Sequence, residues 1–190
     1  MILPIRAFGD AVLRKHCSDI DKNYPDLKIL IQNMYDTMNS AHGIGLAAPQ
    51  IGLDIRLFIV DLSPLAEDED YADIAEELKD FKKVFINAQI LEESGEEWKF
   101  NEGCLSIPDV REDVKRHETI VIEYLDENFK KHTDTFSDMR ARVVQHEYDH
   151  IEGILFTDHL SALKKKLVKG KLTKISQGDV AVNYKMRFPK

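Results

Sequence analysis

The chain has 190 residues, of which 43% are hydrophobic and 32% charged, and its formal net charge is −8. This composition is ordinary for a globular protein, and we predict one domain over residues 1–190. The negative charge argues against general nucleic-acid binding. No stretch approaches the roughly 18 continuous apolar residues that span a membrane, and we see no signal peptide. Two cysteines, Cys17 and Cys104, are too few for a disulfide framework, so a reducing cytoplasm fits best.

The first half of the chain predicts a helix, a shaped loop and a strand. Residues 24–41 place apolar side chains at i, i+3, i+4 and i+7, which indicates a helix with one face in the core. Gly43 is suited to end this helix. Residues 43–50, Gly-Ile-Gly-Leu-Ala-Ala-Pro-Gln, are too rich in glycine and small residues for a regular helix or a central strand, so we predict a loop. Residues 56–61 are rich in β-branched and aromatic types and predict a strand.

The middle of the chain contains an acidic insertion and three further predicted strands. Residues 66–81 form the insertion, and their apolar spacing predicts one short helix within it. Strands are predicted over residues 84–91, 119–124 and 130–136, with a hairpin turn at residues 126–128 between the last two. From its composition we expect the insertion to be solvated surface, and we predict no function for it.

The segment after these strands predicts a helix that carries metal ligands. Ser137 is suited to begin this helix and Gly153 to end it. Between them, residues 145–150 read Gln-His-Glu-Tyr-Asp-His, so His146 and His150 are four residues apart and share one helix face. Two histidines that bracket a glutamate in this way are a signature of metal hydrolases, in which the glutamate reaches a water on the ion.

The apolar pattern places this helix at the centre of the fold. Met139 and Val143 continue the face of the two histidines, so that face is predicted to point inward at the wall of a cleft. Farther on, residues 160–168 predict a helix and residues 180–188 a late strand. The sequence therefore predicts an α+β fold, with antiparallel β-sheets packed around a central helix that carries the His-Glu-x-x-His motif.

Two histidines leave a catalytic metal site one ligand short. A metzincin protease would place a third histidine where this chain has Phe156, and the downstream His159 does not fit that spacing. Cys104, within Glu-Gly-Cys-Leu-Ser at residues 102–106, is a better candidate. A Cys-His-His set leaves the fourth position of a tetrahedral ion open, as catalytic sites require. The alternative is that Cys104 is a small buried hydrophobic residue.

Three motifs together resemble those of the peptide deformylase family. They are residues 43–50, the Glu-Gly-Cys-Leu-Ser segment at residues 102–106, and the histidine helix at residues 145–150. All three occur in the family's order, and the resemblance extends over roughly residues 8–160. Residues 164–190 form a variable tail outside it.

The resemblance implies a hydrolase that removes the formyl group from N-terminal formyl-methionine of new polypeptides. Metal-bound hydroxide would attack the formyl carbon and release formate. The residues that match the family's metal ligands are Cys104, His146 and His150. Glu147 matches the catalytic acid and base. Gln50 and the backbone N–H of Leu105 match the groups that stabilise the developing oxyanion.

The resemblance also implies a substrate-binding set and a supporting pair. The residues that match or would line the substrate cleft are Ile44, Gly45, Leu105 and Val143. Ile44 and Gly45 match the loop that pairs with the peptide backbone, whereas Val143 would line a methionine-sized pocket, with ordinary core packing as the alternative. Glu102 and Arg116 match an ion pair that braces the cysteine segment.

Cofactor and partners follow from the same resemblance. It implies one divalent ion per chain, iron(II) in cells, for which zinc(II), nickel(II) or cobalt(II) substitutes in purified protein. The partners implied are formyl-methionyl nascent peptides in a bacterial cytoplasm. A C-terminal basic segment is a candidate for weak contact with the ribosome, with solvated surface as the alternative; its lysines are Lys164, Lys165, Lys166, Lys169, Lys171 and Lys174.

The sequence leaves two other classes of function open. A zincin-like endopeptidase is disfavoured by the missing downstream ligand. A catalytically silent metal-binding protein is disfavoured by Glu147, because a structural site would more simply fill its fourth position with a ligand.

Overall fold

The computed structural model describes residues 1–189, and its largest element is a five-stranded antiparallel sheet. The order of the strands is β2-β3-β4-β5-β6, so that β2 and β6 are the edges. The bounds are Gly45–Ala47 for β2, Leu57–Asp61 for β3, Lys82–Cys104 for β4, Ile107–Leu125 for β5 and Lys131–Ser137 for β6. A second, two-stranded sheet pairs β1 (Ile5–Arg6) with β7 (Met186–Arg187) in parallel.

Within residues 1–189, four α-helices accompany the sheets. They are α1 (Leu27–Ser40), α2 (Ala75–Lys79), α3 (Asp138–Ile151) and α4 (Ala162–Ser176). Short 3-10 helices occupy Ala11–Arg14, Ala48–Ile51, Ser63–Glu67, Glu69–Ile74 and Phe156–His159. The predicted α+β class is therefore confirmed. Among residues 1–189, none of the helices combines the length and apolarity that crossing a membrane requires.

Helix α3 is central because most of its surface is buried. It contacts β2, β3, β5 and β6. Its face with Met139 and Val143 joins a core formed with Phe58, Phe85 and Ile120 from the sheet. The predicted inward orientation of this face is confirmed, and the histidines that extend it are brought against the sheet.

The glycine-rich segment is more regular than predicted. Residues 43–50 are not a loop throughout, because Gly45–Ala47 pairs with β3 in the register Gly45↔Val60 to Ala47↔Phe58. All three residues of this strand are buried, and two of them, Gly45 and Ala47, are small enough for neighbouring elements to approach closely. A 3-10 helix, Ala48–Ile51, follows directly and carries Gln50.

Strands β4 and β5 are much longer than predicted. Beyond residues 84–91 and 119–124, they continue as one hairpin whose register runs from Ser94↔Thr119 to Cys104↔Ile107. Sequence patterning missed this part because charged side chains outnumber apolar ones along it, so the alternation of its buried face is sparse. The pairing is also interrupted by bulges, one of them next to Cys104.

One smaller prediction is confirmed for position only, and two others need correction. Ser137 does occupy the N-cap of α3, but its hydroxyl donates to the Asp138 carboxylate and makes no capping bond to the helix backbone. Helix α4 extends to Ser176, well beyond the predicted residues 160–168. The predicted late strand at residues 180–188 shrinks to the two residues of β7, which pair with the two residues of β1.

Candidate metal centre and substrate cleft

Three donor side chains from two elements meet at one point. Cys104 is the last residue of β4, at the tip of the long hairpin, and His146 and His150 lie one turn apart on α3. One ligand atom from each of the three lies within 4.8 Å of the others. The Cys104 sulfur lies 3.3 Å from Nε2 of His150. A cysteine and two histidines that converge in this way can hold one metal ion.

The protonation of these donors fits a metal ion. Burial by itself would raise the pKa of the Cys104 thiol, but His150 and His146 outweigh it and lower the pKa to about 5. The thiolate is the form that binds a metal. Nδ1 of His146 lies 2.9 Å from Oε2 of Glu102, which leaves the other ring nitrogen for an ion. The residues present therefore fit a divalent ion with nitrogen and sulfur ligands.

Glu102 is the centre of a buried ion-pair network. Arg116 donates to both of its oxygens, at 2.8 and 3.0 Å, and the ion pair implied by the family resemblance is therefore present. Arg142 adds a third contact at 3.0 Å. Burial would raise the pKa of Glu102, but His146 and Arg116 outweigh it and hold the pKa well below its usual range. This carboxylate is therefore an anion that orients the ring of His146.

Arg142 was not found from the sequence. It is among the largest fully buried side chains, and its guanidinium lies over the Trp98 ring at 4.2 Å from the centroid. Its Nη2 also donates to the Trp98 carbonyl at 2.8 Å. The sequence did contain a signal for it. Arg142 lies three positions after Met139, on the face of α3 that was predicted to point inward, and a buried arginine requires a buried acid as its partner.

The network continues from Arg116 toward the surface. Arg116 also donates to Asp149 at 2.7 Å, and His159 lies 2.8 Å from the same carboxylate oxygen. His159 is therefore engaged with Asp149 and lies outside the cluster of Cys104 and the two α3 histidines.

Glu147 is buried next to the three donors with one oxygen unpaired. It is 4% exposed, and its Oε2 has no hydrogen-bond partner among residues 1–189. Burial raises the pKa of Glu147 to about 7, against the opposing effect of His146 and His150. Gly45 makes room for this carboxylate, because a Cβ at Gly45 would lie within 2.8 Å of Cδ of Glu147.

The Gln50 side chain is oriented by the backbone of β2. Its Oε1 accepts from the N–H of Ala47 at 2.8 Å, so its amide nitrogen points the other way. Nε2 donates to the Cys104 sulfur and to Oγ of Ser106, both at 3.4 Å. With only 1% of Gln50 exposed, this N–H is held toward the donor cluster in a protected position.

A cleft of about 890 Å³ opens in front of these residues. The structure places all four predicted substrate-binding residues in its walls, namely Ile44, Gly45, Leu105 and Val143. Gln50, Glu147 and the Cys104 and His146 donors also line it. Residues 181–184 form part of the rim, which the sequence did not indicate because they lie far along the chain.

A buried glutamate beside a Cys-His-His cluster, at the floor of a partly apolar cleft, defines a metal-dependent hydrolase. Residues 2–166 match the family model described as polypeptide deformylase. The chain belongs to this family, whose members remove the N-formyl group from nascent polypeptides and release formate. The resemblance stated from the three motifs is confirmed.

Relatives and solved structures agree with this assignment. The chain is 63% identical over 190 residues to a peptide deformylase of Christiangramia forsetii, covering all of this chain and 97% of the relative. It is 57% identical over 189 residues to one from Flavobacterium johnsoniae, covering 99% and 96%. The crystal structure of a peptide deformylase from Legionella pneumophila superposes with a TM-score of 0.79 at 35% identity, covering 94% of this chain and 98% of that chain.

Proposed function

We propose that Cys104, His146 and His150 together hold one divalent metal ion at which the chain removes the formyl group from formyl-methionyl peptides. The observation that supports this most directly is the convergence of their donor atoms within 4.8 Å, beside the unpaired Oε2 of Glu147. When bound, the ion supplies the Lewis acidity that activates water and polarises the formyl carbonyl.

Glu147 is the proton carrier of the proposed reaction. Its carboxylate is buried next to the donor cluster, and a free oxygen is available to accept a proton from the attacking water. The same group then delivers this proton to the amine that leaves as formate is released. Gly45 keeps the carboxylate in place, because the backbone of β2 approaches it without an intervening side chain.

Gln50 and Leu105 supply the donors for the oxyanion. The amide of Gln50 is turned toward Cys104 by its bond to Ala47, so no reorganisation is needed when charge develops on the formyl oxygen. The backbone N–H of Leu105 belongs to the peptide unit directly after Cys104 and is the second donor.

The substrate peptide pairs with the edge of β2. Within residues 1–189 this strand pairs with β3 alone, so its other edge is open to an extended peptide, apart from the Ala47 N–H that donates to Gln50. Gly45, without a side chain, permits close approach of that backbone. The methionine side chain then enters the apolar part of the cleft between Ile44, Leu105 and Val143.

Formate release from a formyl-Met-Ala peptide tests this proposal, with internal cleavage of an unformylated peptide measured in parallel. We expect release only from the formylated peptide. Glu147→Ala should lose nearly all activity while still binding metal, whereas Glu77→Ala, at an exposed position in α2, serves as the matched control. Internal cleavage by the wild-type chain would contradict the proposal in favour of an endopeptidase.

The proposed ion in cells is iron(II). A thiolate with two imidazoles also suits zinc(II), nickel(II) or cobalt(II), which we expect to substitute in purified protein. An iron site with a thiolate should lose activity in air, because the thiolate is oxidisable. Metal analysis of anaerobically prepared protein checks this, and full activity with zinc alone would contradict it.

Weak association with the ribosome is a further part of the proposal, in the cytoplasm of a bacterium. Helix α4 exposes Lys165, Lys166 and Lys169, whereas Lys164 is paired with Glu112 at 2.7 Å. Reversing the three exposed charges to glutamate should weaken cosedimentation with ribosomes, more so at low salt. Charge reversal is preferable to truncation, since residues 181–184 line the cleft. Unchanged cosedimentation would leave these lysines as solvated surface.

We also propose that residues 1–190 form one domain. Helix α4 contacts β5, and β7 pairs with β1, so the tail is attached to the rest of the chain at two places. One cooperative unfolding transition, seen equally by fluorescence and circular dichroism, is the expected result. Two separate transitions would contradict it.

A further inference from the structure

The turn that follows the Cys104 ligand is held from outside through both of its carbonyl groups. Cys104 pairs with Ile107, so Leu105 and Ser106 form the turn between β4 and β5. The Leu105 carbonyl accepts from the hydroxyl of Tyr184 at 2.7 Å, and the Ser106 carbonyl accepts from the N–H of Phe8 at 2.8 Å. Turn carbonyls have no partner in the strand ladder, so these two bonds, together with the contact of Gln50 to Oγ of Ser106, hold the turn in its orientation.

The two donors are brought to the turn by the small parallel sheet. Ile5 and Met186 are register partners in this sheet. The Ile5 N–H donates to the Lys185 carbonyl at 2.8 Å, so Tyr184 is adjacent to an anchored residue. On the other strand, the Ala7 N–H donates to the Arg187 carbonyl at 3.0 Å, directly before Phe8. The chain ends therefore support the turn as one unit.

Tyr184 is well suited to this contact. Its ring packs at the edge of the core formed by α1 and the sheet, and the side chain is half-buried. Burial raises the pKa of its phenol further above the usual value, so the hydroxyl stays a donor throughout the neutral range. Tyr184 also lies in the wall of the cleft, within the segment of residues 181–184.

We propose that Tyr184 is a positioning residue for deformylation, which acts by holding the Leu105 turn in place. The N–H and C=O of Leu105 lie on either side of one Cα, so fixing the carbonyl restricts the rotations that would move the N–H. The C-terminal segment is then part of the active site and not an appendage to it. This inference rests on the proposed role of the Leu105 N–H as an oxyanion donor.

Tyr184→Phe tests this, since it removes the hydroxyl and keeps the ring. Losing an oxyanion donor outright costs about 10²–10³ in kcat, and a loosened donor should cost a fraction of that. We expect kcat to fall about 3- to 10-fold, with KM changed less than about 2-fold. Tyr71→Phe, which removes a hydroxyl in the acidic segment, is the matched control and should keep the wild-type kcat.

Hydrogen exchange supplies a readout independent of turnover. In metal-loaded Tyr184→Phe, the amide of Leu105 should exchange faster than in the wild-type chain, while amides in α3 keep their protection. Faster exchange together with the reduced kcat supports the proposal. An unchanged kcat in the folded variant overturns it, whatever the shift in Tm, because a purely structural bond would affect stability alone. If the wild-type chain releases no formate, both the proposed function and this inference fail. If the wild-type chain releases formate and Tyr184→Phe does so at the same rate, only this inference fails.

Discussion

Nδ1 of His146 and Oε2 of Glu102 lie 2.9 Å apart, and this contact joins the two elements that carry the donor cluster. Glu102 lies on the same strand as Cys104, two residues before it, whereas His146 lies on α3. The carboxylate therefore fixes the ring of one candidate ligand relative to the strand that supplies another. Arg116 and Arg142 balance its charge in the interior, so the geometry of the centre depends on the whole network.

Glu102→Gln should damage both stability and metal binding. The change removes the only acidic partner that Arg142 has within residues 1–189 and one of the two acidic partners of Arg116, which keeps Asp149. Breaking a buried ion pair costs about 3–5 kcal/mol. Loss of the partner of His146 should also weaken metal binding by about 10- to 100-fold. Urea unfolding and metal titration measure the two effects separately.

A control for this prediction lies on the neighbouring strand. Glu112 forms a partly exposed ion pair with Lys164 at 2.7 Å, and such pairs contribute about 0–1 kcal/mol. Glu112→Gln should therefore change little. Equal effects of the two variants would show that the Glu102 network has no special part in the centre.

Gly45→Ala should reduce turnover. A Cβ at residue 45 would overlap the carboxylate of Glu147, which must then move from its position beside the donors. We expect kcat to fall by at least about 10-fold, since displacing Glu147, the proposed general base, would forfeit part of a 10²–10⁴-fold contribution. Steady-state kinetics on metal-loaded protein measure this.

Gly170→Ala is the matched control for Gly45→Ala. No atom lies within 4 Å of the Cβ that would be added at residue 170, in α4. Because alanine favours a helix over glycine, this variant should be stabilised by about 0.5–1 kcal/mol at unchanged kcat. A Gly45→Ala variant with wild-type kcat would remove the steric argument for the placement of Glu147.

Gln50→Leu should lower kcat by about 10²–10³, the usual cost of one oxyanion donor. It also deprives the buried Ala47 N–H of its acceptor, which costs a further 1–3 kcal/mol or so in stability. Gln50→Glu separates the two effects, because it keeps an oxygen for Ala47 and removes the amide donor. Both variants should therefore lose kcat, and only Gln50→Leu should lose the Ala47 contact. An unchanged kcat in purified, metal-loaded Gln50→Leu would exclude Gln50 from the mechanism.

Asp61 should contribute stability that disappears in acid. Burial opposes it, but hydrogen bonds from Ser63 and Lys82 hold the pKa of Asp61 below its usual value. A carboxyl whose pKa is lower in the folded state stabilises the fold above its unfolded pKa of about 4, and this stabilisation is lost as the pH falls through the folded pKa. Asp61→Asn should therefore cost about 1–2 kcal/mol at pH 7 and much less in acid.

Urea unfolding across a pH series checks this prediction. The exposed Asp73 provides the control, because Asp73→Asn should leave the curve close to that of the wild-type chain. A constant difference between Asp61→Asn and the wild-type chain at every pH would mean that the charge of Asp61 contributes nothing.

The sequence alone was enough to find the residues with local signatures. The spacing of His146 and His150 requires only a helix, and a helix is readable from periodicity over a dozen residues. The partnership of Glu102 with Arg116, expected from the family resemblance, is present as a bidentate pair. The α+β class followed from predicted antiparallel strands joined by a hairpin turn and packed around one central helix.

Only the tertiary structure decided which distant residues complete the site. Arg142 faces Glu102 because α3 crosses the long hairpin at that point. Tyr184 reaches Leu105, 79 positions earlier in the chain, because β7 pairs with β1. Such contacts join residues far apart in the chain, so the local periodicity of the sequence does not predict them. The sequence therefore predicted the helix and its two histidines. The surrounding contacts that orient these side chains form only when the hairpin, the helix and the chain ends pack together.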